Sequence, residues 1–198
     1  FQAGSTFKAF VLSTAISQGI PLSTQIASPQ SVSIPENRYK VCHGHWLKSA
    51  DVWSPQNSTG SGTFDLYKGT QLSVNTFFAQ LEERTGLCGP TTLAKKMGVS
   101  VPDRDVVGPF TLGVTDVDPL TMAGVYATFG ARGKFCEPRP VTTVLNANGK
   151  TIEDYPSKCQ QLLKTDVADA VNDILRGVQE PGGFGYDAMV ESPTIAIR

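Results

Sequence analysis

The chain has 198 residues, 40% of them hydrophobic and 18% charged, with 17 Lys and Arg against 18 Asp and Glu. That composition supports one sizeable folded core, or two closely joined lobes, and excludes a disordered chain. A net charge of −1 with no block of like charge leaves no footprint for nucleic acid or a membrane surface, and no stretch reaches the roughly 18–20 apolar residues of a membrane helix.

In chain order, STFKAFVLSTAISQ at 5–18 reads as a helix, with Phe7, Phe10, Val11 and Thr14 at helical spacing and Leu12, Ala15 and Ile16 filling the other face. Apolar residues on all sides predict a buried central helix, stopped by Gly19 and Pro21. Residues 21–64 carry little helical period, and NSTGSGT at 57–63 reads as a flexible loop. NTFFAQLEERT at 75–85 predicts a second helix closed by Gly86, and GPTTLAKKMG at 89–98 a short third one with Pro90 in its first turn. Residues 102–114 read as loop. At 118–133, Asp118 caps a fourth helix and Pro119 takes its first position. VTTVL, NANG and KTIEDY then predict a hairpin over 141–155. TDVADAVNDILRGV at 165–178 is an amphipathic fifth helix with Val167, Val171, Ile174, Leu175 and Val178 inward, and PTIAI at 193–197 starts a strand.

Cys42, Cys88, Cys136 and Cys159 show no C-x-x-C spacing. The favoured pairing joins Cys136 to Cys159 across the predicted hairpin, leaving Cys42 with Cys88; four buried free thiols are the alternative. CHGHW at 42–46 offers too few ligands for zinc, NST at 57–59 matches an N-glycosylation acceptor, and GGFGYD at 182–187 is too irregular for a phosphate loop. Glu82, Glu83 and Arg84 read as a solvated helix face, and Trp46, Phe77 and Phe78 as core. No metal or organic cofactor is expected.

The chemistry sits at the start. Ser5 opens the first helix, where free backbone N–H groups and the positive dipole end favour developing negative charge. Lys8, one turn on and flanked by Phe7 and Phe10, is costly to keep charged, and a neutral amine can take a proton from a hydroxyl on the same face. Gly4 permits close approach of backbone or substrate, and the Ser5 N–H can serve as half of an oxyanion hole. The bland alternative makes Ser5 a helix cap. In SVN at 73–75, Asn75 carries both donors and an acceptor, so it can hold Lys8 and a substrate amide together, while Ser73 can relay a proton to a leaving group. Here too the alternative is local: Asn75, or else Ser73, is the N-cap of the helix.

Together AGSTFKAF, QLSVNTFFAQL and TDVDPLTMAGVYATFGARGKFCEPRPVTTVLNANGK resemble, in the same order, segments of the penicillin-binding proteins, most closely the transpeptidase domains of the bifunctional class A members. The resemblance implies an α/β fold of the β-lactamase/transpeptidase type: an antiparallel sheet flanked by helices plus an all-helical lobe, with the nucleophile at their junction. It implies a peptidoglycan D,D-transpeptidase that cross-links stem peptides ending in D-Ala-D-Ala and is acylated by β-lactam antibiotics. Ser5 would be the nucleophile, Lys8 its base, Ser73 a proton shuttle and Asn75 the residue that orients Lys8 and binds the substrate amide. It also implies an extracytoplasmic site of action, with the membrane reached only through an N-terminal anchor outside this chain. A D,D-carboxypeptidase or β-lactamase, and a non-catalytic sensor or scaffold, are the alternatives.

The departures are specific. Ala3 and Ala9 stand where the family commonly has proline, and no K-T-G occurs, since Lys150-Thr151 and Lys164-Thr165 are followed by Ile and Asp. The chain opens on Phe1 inside a motif and closes on PTIAIR, where the family's K-T-G strand would follow. Residues 1–198 are therefore expected to be a fragment of a transpeptidase domain, lacking the K-T-G strand and anything N-terminal, and incomplete as an enzyme alone.

Overall fold

The apolar run after Ser5 becomes a short 3-10 turn over Gly4–Phe7 that passes directly into helix α1 (Lys8–Ser17) in the computed structural model, which describes residues 1–188. Every residue from Lys8 to Ala15 is buried, so α1 is the central helix its sequence predicts. Phe7, Phe10 and Phe110 interlock beneath it, with ring centroids of Phe7 at 5.1 Å from each of the other two. Burying one such side chain contributes about 1.5–3 kcal/mol, so this aromatic cluster anchors the turn that carries Ser5.

Four short antiparallel pairings flank the helices among the described residues, and two of them come from the stretch with little sequence signal. Strand β1 (Ile26–Ser28) pairs with a strand far along the chain, and β2 (Ile34–Pro35) pairs with β3 (Val52–Trp53). The partner of β1 is β4 (Gly62–Phe64), in the register Ile26 opposite Phe64. The supposed flexible loop thus ends in a strand. Helix α2 (Leu66–Gln71), which the sequence pattern does not announce, starts where Asp65 accepts a hydrogen bond from the Lys68 N–H at 2.8 Å. After a sharp turn comes α3 (Asn75–Thr85), closed by Gly86 as expected, then α4 (Cys88–Lys96).

The segment expected to be loop at 102–114 contains 3-10 turns at Asp103–Asp105 and Gly108–Leu112. Helix α5 (Pro119–Gly130) begins as predicted, with Asp118 accepting from the Thr121 N–H at 2.9 Å. Beyond it β5 (Lys134–Cys136) opens a stem, and β6 (Thr143–Leu145) and β7 (Thr151–Asp154) form the expected hairpin, fully exposed. Asn146 closes its turn by accepting from the N–H groups of Asn148 and Lys150. Strand β8 (Cys159–Gln161) pairs with β5, and α6 (Thr165–Arg176) follows, burying Val167, Val171 and Ile174 against α1 and α5. Among the described residues no sheet exceeds two strands, so the expected larger antiparallel sheet is represented there only by two-stranded pairings, and the strand expected at 193–197 falls outside the described residues. Among those residues, too, no helix is long and apolar enough to cross a membrane.

Both favoured disulfides form: Cys42 joins Cys88 and Cys136 joins Cys159. Closing loops of 46 and 23 residues restricts the unfolded chain by about 3–4 kcal/mol each on the chain-entropy account. Cys42 is accordingly a disulfide sulfur and not a thiolate ligand.

Two burial expectations are overturned, one in each direction. Glu82 is fully buried on α3 rather than solvated, because the turn at Gly108–Leu112 packs over it. Neither of its carboxyl oxygens has a hydrogen-bond partner among the described residues, and burial holds the carboxyl well above the usual range, opposed to a lesser degree by the Thr111 backbone amide. Its neighbour Glu83 instead pairs with Arg38, and Arg84 is exposed. Trp46, expected in the core, is 53% exposed beside the Lys40 ammonium, whereas Phe77 and Phe78 are fully buried.

Candidate functional site

Ser5 and Lys8 are brought together by the geometry of a 3-10 turn. At three residues per turn, positions i and i+3 eclipse, so the two side chains share one edge. The chain enters this turn at Gly4, whose φ of +60° favours glycine. Gly113, at φ +70°, lies so close that a Cβ there would sit 2.8 Å from the Gly4 Cα. From the other side the Tyr126 hydroxyl donates to the Thr6 carbonyl at 3.1 Å. The turn that presents Ser5 is thus held by α5 and by the 108–113 segment together.

Ser5 is exposed and Lys8 is buried, at 4% of its free surface. Three oxygens accept from Lys8 Nζ: the Ser73 carbonyl at 2.8 Å, Ser73 Oγ at 2.9 Å and Asn75 Oδ1 at 2.7 Å. The Phe78 ring centroid lies 5.5 Å from the same nitrogen. Neutral acceptors favour the ammonium, but removal from water disfavours it more, and burial pushes Lys8 down to about 7. A large fraction of Lys8 is therefore a free amine near neutral pH. The Ser5 hydroxyl makes no hydrogen bond among the described residues; Ser5 lines the same cavity as Lys8 and Ser73. Such hydroxyl–base contacts are commonly loose before substrate arrives.

The second element lies in the turn between α2 and α3. Ser73 adopts φ +52°, a left-handed conformation that costs a non-glycine residue about 1–3 kcal/mol, and it is tied by its N–H to the Thr70 carbonyl. This strain turns both its carbonyl and its hydroxyl onto Lys8. Neither local capping alternative describes the site: Val74 is the N-cap of α3, without a side-chain bond, and Asn75 is the first helical residue. Asn75 also donates from Nδ2 to the Gln56 carbonyl at 2.8 Å, which fixes its amide with Oδ1 towards Lys8. The structure thus joins Lys8, Ser73 and Asn75 by direct bonds and sets Ser5 beside them.

A cavity of about 760 Å³ opens here, walled by Ser5, Lys8, Ser73, Phe78, Tyr126 and Phe129. Pattern reading from the sequence missed Tyr126 and the Gln56 carbonyl, because neither a phenol on an apolar helix nor a backbone oxygen leaves a local signature. It also passed over GGFGYD, where Phe184 and Gly185 reach the cavity wall and the Phe184 N–H donates to the Gln71 carbonyl. Asn57, in the matched glycosylation triplet, is only 6% exposed, and its amide nitrogen donates to the carbonyls of Pro29 and Gly60. That nitrogen is committed, so the acceptor pattern does not mark a modified surface loop.

A family model described as the penicillin binding protein transpeptidase domain matches residues 1–197. Penicillin-binding protein 1A of Clostridium novyi (strain NT) is 29% identical over 136 residues, which is 66% of this chain and 16% of that protein. Peptidoglycan D,D-transpeptidase FtsI of Buchnera aphidicola subsp. Baizongia pistaciae is 24% identical over an alignment covering 100% of this chain and 34% of its own. Among solved structures, penicillin-binding protein A from M. tuberculosis, an imipenem acyl-enzyme complex, superposes with a TM-score of 0.74 at 21% identity, over 96% of this chain and 46% of that one. PonA1 from Mycobacterium tuberculosis, in complex with penicillin V, gives 0.69 at 26% identity, over 95% and 48%. The mixed α/β fold is that of these transpeptidase domains, and the chain spans well under two thirds of each relative.

Proposed function

The chain belongs to the penicillin-binding protein transpeptidase family, and from that premise we propose that it is the acyl-enzyme-forming part of a peptidoglycan D,D-transpeptidase, with Ser5 as nucleophile. The observation that carries this is Lys8, a buried amine depressed to about 7, one 3-10 turn from an exposed serine and held by Ser73 and Asn75.

Neutral Lys8 Nζ takes the Ser5 proton as Oγ attacks the carbonyl of the penultimate D-Ala. The Ser5 N–H, at the start of its turn and free of an intrahelical acceptor, donates to the developing oxyanion. The intermediate collapses by breaking the C–N bond, and the departing D-Ala amine takes up a proton relayed from Lys8 through Ser73 Oγ. An amine of a neighbouring stem peptide then attacks the Ser5 ester, its proton returns through the same groups, and the ester C–O bond breaks to regenerate Ser5. A β-lactam follows the first half only: its ring C–N bond opens, and the amine stays tethered in the acyl group. Asn75 Oδ1 keeps Lys8 in place throughout. The two disulfides support an extracytoplasmic site of action, because such bonds persist in oxidising compartments.

Labelled penicillin added to the full-length protein tests this. The expected result is a one-to-one adduct that persists for minutes to hours and maps to the peptide containing Ser5. Rapid release of hydrolysed penicillin would replace the transpeptidase with a β-lactamase, and no adduct at all would leave only a non-catalytic module.

A further inference from the structure

We propose that Asn57 is a positioning residue for Lys8, acting through the Gln56 carbonyl and Asn75. The proposal rests on the reading of Ser5 and Lys8 as the acylating pair. Its starting point is the buried N-terminal end of α3. The first N–H groups of a helix need acceptors, and the N-cap residue here, Val74, has none to offer in its side chain. The acceptor comes instead from Asn57, whose Oδ1 takes the Thr76 N–H at 2.8 Å.

The rest of the Asn57 amide is equally committed. Nδ2 donates to the Pro29 carbonyl at 3.0 Å and the Gly60 carbonyl at 2.8 Å, and the backbone N–H donates to the Gln30 carbonyl at 3.0 Å. Gln30 returns a bond from its side chain to the Asn57 carbonyl, and Thr76 Oγ1 also reaches the Pro29 carbonyl, at 2.9 Å. One buried side chain therefore pins the segment at 56–57 to the first turn of α3. The consequence falls on the adjacent residue. The Gln56 carbonyl is the acceptor for Asn75 Nδ2, and an amide so held can offer only Oδ1 to Lys8 Nζ. With the segment released, the Asn75 amide can rotate, and a flipped amide would turn N–H donors towards Lys8. Displacements of about 1 Å in such supports can lower a catalytic rate about 100-fold.

The test compares penicillin acylation by the full-length protein with that of Asn57→Ala, Asn57→Asp and, as a cap-loss control, Asp118→Ala at the start of α5. Stopped-flow measurement separates the dissociation constant of the first complex from the acylation step. Asn57→Ala is expected to slow acylation about tenfold or more with little change in that dissociation constant. Asn57→Asp, which keeps the oxygen facing Thr76, should recover part of the rate. Asp118→Ala should lower the melting temperature comparably while leaving acylation near wild type. Wild-type acylation in Asn57→Ala, or a loss that Asp118→Ala matches, overturns the positioning role while Ser5 labelling stands. Undiminished labelling of Ser5→Ala overturns the parent reading and this one with it.

Discussion

Ser5→Ala should remove penicillin acylation altogether, a fall of about 10⁴-fold or more in the second-order rate, with the fold intact. No other group can inherit the reaction, because the acyl ester needs an oxygen on the cavity wall within reach of Lys8. Ser73 Oγ is also within reach of Lys8, but it already engages Nζ at 2.9 Å and is held in a strained turn, not at the start of a helical turn with free N–H groups. Stability should hardly change, by about 0.5 kcal/mol or less, since Ser5 is exposed and makes no side-chain hydrogen bond among the described residues. Thermal melting alongside labelling separates loss of the nucleophile from loss of the protein. Labelling of Ser5→Ala at the wild-type rate would mean that the adduct forms elsewhere.

Lys8→Arg should lower the acylation rate by about 10²–10⁴-fold, the usual worth of a positioned general base. Arginine can still donate to Ser73 and Asn75, but a guanidinium does not deprotonate in a protein and so cannot accept the Ser5 proton. Lys8→Met supplies the companion measurement: it removes the amine without adding charge or bulk to a site that is 4% exposed. Both variants should therefore fail alike in acylation, although only Lys8→Arg should strain the packing around Phe78. Near-wild-type acylation in Lys8→Arg would show that charge, not proton acceptance, is what Lys8 contributes.

The elements readable from the sequence are those whose signals are local. Helices α1, α3, α5 and α6 declare themselves by apolar period and by adjacent punctuation such as Gly86, Asp118 and Pro119. The β6–β7 hairpin does so through its Asn–Gly turn. The short strands between 26 and 64 did not, because β1 becomes a strand only by pairing with β4 across some three dozen residues. Charge patterning misplaced Glu82 for a related reason: the face of α3 it occupies is covered by a distant segment, and nothing in LEER says so. Ser5, Lys8, Ser73 and Asn75 were legible as a motif, and three of them meet directly in the structure. Their supports were not. Asn57 serves a helix that begins well downstream, and its triplet pointed towards the surface; Tyr126 and Gln56 act on backbone or through backbone.

On the proposed mechanism an unprotonated Lys8 drives Ser5, so the pH dependence of the acylation rate should follow the Lys8 amine. The folded protein holds the ammonium down to about 7 by burial, so the reactive amine is scarce at pH 5 and dominant at pH 9. A penicillin is a suitable probe because its carboxylate stays ionised across that range. The rate should rise roughly tenfold per pH unit below 7, bend near 7 and level off above it, with the rising limb absent in Lys8→Arg. A rate that is flat from pH 5 to 9, or one that keeps climbing towards the ordinary lysine range near 10, would contradict the account.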